Sequence, residues 1–405
     1  MLASGIIVII LIFGIYLIKQ SSKTNPEKIL NVYAQKGKWY SLKYCFMVSL
    51  LFLKRLKCYI YGKNHVYKIE IFDRLQQLSN HDQAFDAVFF HAVSQNGIYF
   101  CGGTERRQKG KIVGLVYIVH PDYGVLESEE LPDTNLDASV ISLYKQDRYS
   151  GGGICITPLK PMKKWKITYK GLMKQHLNPH NRFHVDLDLD WTSDYQWFFF
   201  EVDVPISVIA RAIAREEWSP KLFQNLKDAH QKHYEQMGYV NGTLQIDAVS
   251  FPFVNVDAFR DHSFGFKRDW SLMHRYIYSM FYLTDKTKIA LGVVSQPCTT
   301  SHLEMGFVNH VNGKLDPIDN IDLFLPEHAE NGVLPKVLNF TFDAQGVSYD
   351  VHMEFLYDTV HYKGSNREAV MNERFHKCII NGVPGRGISE WHYNRNILGV
   401  DDEKI

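Results

Sequence analysis

"FHVDLDLDW", residues 183–191, alternates apolar and polar side chains without a break. In an extended chain Val185, Leu187, Leu189 and Trp191 point one way, and His184, Asp186, Asp188 and Asp190 the other. A helix would spread both sets around its surface, whereas a strand with one buried face keeps them apart. The stretch predicts a half-buried antiparallel strand with its acidic row turned to water.

The same period recurs on both sides. "AVFFHAVSQNGIYFCGGTE" (87–105) reads as strand, Asn96-Gly97 turn and strand. "WKITYKGLM" (165–173) and "WFFFEVDV" (197–204) continue the pattern. So do "KIALGVVSQ" (288–296), "VLNFTFDAQGVSYDVHMEFL" (337–356) and "NERFHKCIINGVPGRGISEW" (372–391). Turn signals at Asn312-Gly313, Gln345-Gly346 and Asn381-Gly382 punctuate the second half. Many short strands at regular spacing predict an all-β barrel or sandwich, not a parallel α/β sheet. Residues 206–237 break the rhythm with helical spacing in two pieces, split at Ser219-Pro220 and stopped by Gly238. They are expected to connect two β-rich halves.

The 405 residues carry a formal charge of +1, which gives no electrostatic case for nucleic acid. Aromatic residues reach 14%, which favours β structure or an aromatic-lined pocket. The six cysteines are not spaced as a metal cluster and are expected to be mostly free and buried. No phosphate-binding GxGxxG, P-loop, GxSxG or HExxH motif is present, and no cofactor or metal is expected.

At the N-terminus "LASGIIVIILIFGIYLI" (2–18) is apolar and uncharged, with lysines only after it. The pattern predicts a transmembrane signal anchor over residues 1–20. The positive-inside rule then puts the rest in the cytosol, on an internal membrane such as the endoplasmic reticulum. Within a basic linker over 21–65, "YCFMVSLLFLKRLK" (44–57) reads either as an amphipathic helix at the membrane interface or as a helix packed on the body.

"RDHSFGFKRDW" (260–270) packs charges among aromatic residues. If extended, Arg260, His262 and Phe264 share one face and Asp261 and Ser263 the other. His262 is then a candidate proton donor inside a barrel. Arg260 and Arg268 are expected to pair with Asp261 and Asp269, and Phe264 and Trp270 to supply aromatic walls for a cation. The residues alone leave three readings open: a structural network, a ligand-binding polar patch, or catalysis.

That stretch, following "HYEQMGYVNGTL" (233–244), resembles the RDHSWG-R-W signature of a lipocalin-like group. The group contains the bacterial carotenoid 1,2-hydratases and, more remotely, tocopherol cyclase. "PGRGISEW" (384–391) is similar to the group's closing strand, and "PMKKWKITYKGLM" (161–173) to a strand of its first half. The resemblance spans Ala84 to Tyr393. It implies two lipocalin-like β-barrel halves, over 66–205 and 238–405, joined by the 206–237 connector. It also implies a lipophilic small molecule as ligand, and acid-catalysed hydration, cyclisation or isomerisation without a redox cofactor. His262 and Asp261 match the group's His and Asp, whereas Phe264 stands at its Trp. Tyr282 and Asp285 are candidates for its further Tyr and Asp, and Glu390 matches its closing Glu, with Arg268 as a partner. A non-catalytic carrier and a scaffold module are the alternatives.

Overall fold

The computed structural model describes residues 19–22, 24–131, 133–136, 148–364 and 366–398. The expected membrane-spanning segment lies almost wholly outside them. Among the described residues no helix is long and apolar enough to cross a membrane.

Period-two segments become sixteen principal antiparallel strands. The first eight are β1 (Phe85–Val93), β2 (Tyr99–Arg107), β3 (Ile112–His120), β4 (Gly124–Ser128), β5 (Lys164–Gln175), β6 (Asn178–Thr192), β7 (Gln231–Ile246) and β8 (Val249–Gly265). Each pairs with its sequence neighbour, and β8 returns to pair with β1, from Phe85 opposite Gly265 to Val93 opposite Asp257. The sheet is thereby a closed up-and-down barrel, the architecture of lipocalins. The second eight are β9 (Arg275–Leu283), β10 (Lys288–Gln296), β11 (Thr300–Asn309), β12 (Leu315–Ile321), β13 (Val337–Ala344), β14 (Val347–Asp358), β15 (Ala369–Ile380) and β16 (Val383–Asn394). They close in the same way, through β16 onto β9. At two hairpins the turn residues Gln345-Gly346 and Asn381-Gly382 all have positive φ, the twist that two-residue hairpins need.

The acidic row on β6 does face outward. It is answered across the sheet by lysines of β5: Lys164 with Asp190, Lys166 with Asp188 and Lys170 with Asp186. Such exposed pairs add little stability but hold register. The opposite row enters the first barrel's core with Trp165, Ile167 and Phe90. The second barrel has its own core around Ile277, Phe281, Leu291 and Trp391. A third apolar layer lies between the barrels, where Tyr99, Tyr117 and Phe259 meet Met280, Phe307, Phe375 and Ile388.

Three helices matter for the site: α1 (Tyr40–Tyr61), α2 (Ile206–Arg215) and α3 (Pro220–Asp228). Ser219 caps α3 by accepting from the Leu222 N–H. These positions correct the expected halves. α2 and α3 join β6 to β7, so they are an insertion within the first barrel and not a connector between barrels. The division falls after Gly265, because β7 and β8 complete the first ring. Gly238 stops no helix and sits inside β7. All six cysteines are free, but only Cys101 and Cys378 are buried.

Candidate active site

β7 and β8 are paired with Glu235 opposite Asp261 and His233 opposite Ser263. Strand alternation splits this hairpin into two chemistries. One face enters the first barrel, carrying Tyr234, Arg260 and His262. The other, carrying His233, Glu235 and Asp261, turns toward the second barrel.

The inward face is a closed network. Arg260 donates to Asp73 Oδ1 at 2.6 Å and to Gln236 Oε1 at 2.9 Å. Its guanidinium lies against Trp165, Trp191 and Tyr234, within 5.3 Å of each ring centre. Asp73 also accepts from Tyr234 Oη at 2.9 Å and Trp165 Nε1 at 3.2 Å. His262 sits between Tyr234 Oη, 2.6 Å from Nδ1, and Asp86 Oδ1, 2.8 Å from Nε2. Tyr149 and Phe264 rings pack around it. Arg260, His262, Asp73 and Asp86 are all buried. This half of the motif is packed solid, as a stabilising plug needs to be.

The outward face opens onto a cavity of about 730 Å³ between the barrels, roofed by α2 and α3. Much of its wall is apolar: Phe89, Leu115 and Phe259 from the first barrel, Ile209 and Leu226 from the helices, and Leu303 and Met305 from the second barrel. At its polar end His233 Nε2 is hydrogen-bonded to Asp261 Oδ2 and lies 3.5 Å from Glu235 Oε1. The Phe200 ring stacks on the imidazole at 4.1 Å. From across the cavity Tyr278 donates to Glu235 Oε2 at 2.6 Å. Arg268 donates to Ser263 Oγ at 2.9 Å and to Glu105 Oε2 at 2.8 Å.

The two facing carboxyls are driven apart. Burial pushes Glu235 well up, and the negative charge of Asp261 adds to this against the Tyr278 bond. Burial also acts on Asp261, but His233, Arg268 and His262 outweigh it and hold that carboxyl below its usual range. These surroundings favour the proton on Glu235 and the charge on Asp261. On the opposite wall Glu373 and Glu390 face each other across β15 and β16. Burial raises both, and the Glu390 charge raises Glu373 further. Tyr276 donates to Glu390 Oε2 at 3.1 Å, while Glu373 Oε2 has no partner among the described residues. Glu105 is also buried, but Arg107 and Arg268 hold it down to about 2. Donor atoms of His233, Glu235 and Asp261 lie within 4.8 Å of one another, so they are also the residues that could ligate a divalent ion.

Of the residues singled out in the sequence, Asp261, Arg268, Asp269, Trp270 and Glu390 line this cavity. His262, Arg260 and Phe264 do not, because their side chains enter the first barrel. Tyr282 is buried between the barrels with its hydroxyl 2.9 Å from His91 Nδ1. Asp285 is exposed and accepts from the Thr287 N–H in a turn. The expected ion pairs are also different. Arg260 pairs with Asp73, Arg268 with Glu105, Asp261 with His233 and Asp269 with Lys267. Glu390 takes a tyrosine hydroxyl rather than Arg268. Sequence reasoning missed His233, Glu235, Tyr276, Tyr278 and Glu373. A signal existed for two of them: His233 and Glu235 alternate in "HYEQ", which pairs with the charged strand.

Twin up-and-down barrels thus enclose between them a cavity with a cluster of titratable side chains at one end. Residues 6–393 match a family of unknown function, DUF8627, and the chain belongs to that family. No curated protein sequence matches it. Among solved structures it is similar to an AttH-type protein of Nitrosomonas europaea, at 11% identity over 76% of this chain and 92% of that one, with a TM-score of 0.47. Kievitone hydratase from Nectria haematococca is 11% identical over 80% of this chain and 94% of its own, with a TM-score of 0.45. CghA is 8% identical over 81% of this chain and 95% of its own, also with a TM-score of 0.45.

Proposed function

We propose that the chain is an enzyme that binds a lipophilic unsaturated molecule between its barrels and transforms it by proton transfer: hydration, cyclisation or isomerisation. The observation that carries this reading is Glu235 and Asp261, paired across β7 and β8, shifted in opposite directions and opening onto an apolar cavity. Catalytic acids and bases are made by such environments.

In a hydration, Glu235 gives its proton to one alkene carbon and leaves positive charge on the other. The faces of Phe200, Phe259 and Tyr276, all in the cavity wall, favour that charge. Water adds its oxygen to the cation and releases a proton to Asp261. His233, between the two carboxyls, returns that proton to Glu235. In an isomerisation or cyclisation, Asp261 takes the proton from a neighbouring carbon instead. The Glu373–Glu390 pair offers a polar anchor for a hydroxyl or carbonyl on the ligand. One similar structure is by name a hydratase, but a likeness that slight does not bear on the reaction.

The test is mass spectrometry of the lipophile that co-purifies with detergent-extracted protein, wild type beside Glu235→Gln and Asp261→Asn. The variants should retain an unreacted precursor, with turnover lowered by about 10²–10⁴-fold. A carrier needs the cavity but not the acid. Should all three proteins hold the same compound, the chain is a carrier and the catalytic reading is wrong.

A further inference from the structure

The helical roof of the cavity has an outer side. α1 lies across α2, where Tyr44, Met47, Val48 and Leu51 meet Ile209, Ala210 and Ile213. Ile209, Ile213 and Leu226 belong to that cluster and also line the cavity beneath. Only one layer of helix therefore separates α1 from the ligand space.

The other face of α1 is largely exposed among the described residues. Phe46 is 57% exposed, Leu50 46%, Leu53 65% and Ile60 62%, at spacings that put them on one stripe of the helix. The stripe continues beyond α1. The Phe46 ring lies 5.7 Å from Trp218, and Trp218 lies 5.3 Å from Phe223 on α3. Phe223 is itself exposed, and the same helix supplies Lys221, Asn225 and Asp228 to the cavity wall. An apolar track thus runs from α1 to the edge of the cavity.

Charge identifies what covers it. Residues 28–69 include nine Lys and Arg and no Asp or Glu, whereas the rest of the chain carries 36 Lys and Arg against 44 Asp and Glu. Lys43, Lys54, Arg55 and Lys63 turn to the Glu216 carbonyl, Glu201, the Val204 carbonyl and Asp203, which leaves Lys28, Lys36, Lys38, Lys57 and Lys68. A bare apolar face flanked by these five lysines suits an anionic lipid surface, where apolar side chains enter the acyl boundary and lysines reach the headgroups. A protein partner or second copy would have to be equally acidic and apolar. The uncharged segment 2–18 lies just upstream.

We propose that the α1 stripe docks on an anionic bilayer and that the ligand passes from the bilayer along Phe46, Trp218 and Phe223 into the cavity. This rests on the reading that the cavity holds a lipophilic molecule. It makes α1 and α3 the entry device, with no part in the chemistry.

Cys45 is exposed beside Phe46 and serves as the probe site. It is labelled with an environment-sensitive fluorophore in full-length protein carrying Cys58→Ser, Cys155→Ser and Cys298→Ser. Vesicles are phosphatidylcholine with and without phosphatidylserine, each doped with lipid brominated high on the acyl chain. The label should shift to the blue and be quenched, more strongly with phosphatidylserine, and Leu50→Glu with Leu53→Glu should abolish quenching. That double variant should also take up cis-parinaric acid from vesicles about tenfold more slowly, with equal final occupancy. A label that reports water while the chain is vesicle-bound overturns the proposal. So does a label shielded without lipid in a chain that sediments as a dimer, which assigns the stripe to a second copy. Glu235→Gln protein in the same assay separates the two ideas, since lost chemistry leaves uptake intact and lost docking leaves turnover in detergent intact.

Discussion

Replacing Glu235 by Gln should change how stability depends on pH. The carboxyl is pushed up in the folded chain by burial and by Asp261. A group whose folded pKa exceeds its unfolded value gives stability that is complete below the unfolded value, here near 4.5, and is lost as pH rises toward the folded one. Within that window the unfolded chain has released a proton that the folded chain keeps. Each pH unit then costs about 1.4 kcal/mol. Above pH 5 the wild type should therefore lose stability progressively through this one group. The substituted amide would keep the volume and the acceptor for Tyr278 but not titrate. Glu373 and Glu390 remain in both proteins and tilt both curves alike. The assay is urea unfolding of full-length protein in non-ionic detergent, followed by tryptophan fluorescence in half-unit pH steps. The difference between variant and wild type should climb as pH rises above about 5. Parallel curves would falsify the assignment of a protonated Glu235, and with it the acid of the proposed reaction.

Three further outcomes follow from the same geometry. Arg260→Met strands Asp73 in the first barrel and should lower unfolding stability by about 3–5 kcal/mol, measured by denaturant titration. His262→Leu removes one hydrogen-bond partner from each of Tyr234 and Asp86 and should cost about 1–3 kcal/mol, yet leave occupancy of the cavity unchanged in a ligand-binding titration. Burial drives the pKa of His376 down to about 3, so its stabilising effect is complete above the usual His range and lost as pH falls. His376→Gln should therefore flatten the acid limb of the stability curve below about pH 6, by up to about 1.4 kcal/mol per unit.

The strand pattern was legible because it is local. Alternation in residues 183–191 placed the β6 side chains on their two faces, and the turn dipeptides marked hairpins. Both helices of the insertion and the break at Ser219-Pro220 were legible too. The domain boundary was not, because what closes the first barrel is the pairing of β8 with β1, far upstream. Arg260 and its true partner Asp73 are 187 residues apart, and His262 and Asp86 176, so nearby carboxylates were the wrong partners to choose. The parity of Asp261 against His262 was read correctly. Which face did what was not, since outward on a lone barrel means water. Here a second barrel covers the outward face and makes it the wall of a cavity.

The cavity is bounded by the outsides of two rings, and neither ring's circumference fixes its width. Each ring is set by strand number and stagger, whereas the gap is set by how far apart the rings rest on Phe259, Phe307 and Phe375. Trading bulk at those contacts would widen or narrow the gap and re-aim Glu373 and Glu390 at Glu235, with both barrel lumens untouched. A lineage built on this plan can resize the cavity by adjusting a spacer, and the hairpin that carries Glu235 and Asp261 travels unchanged through each adjustment.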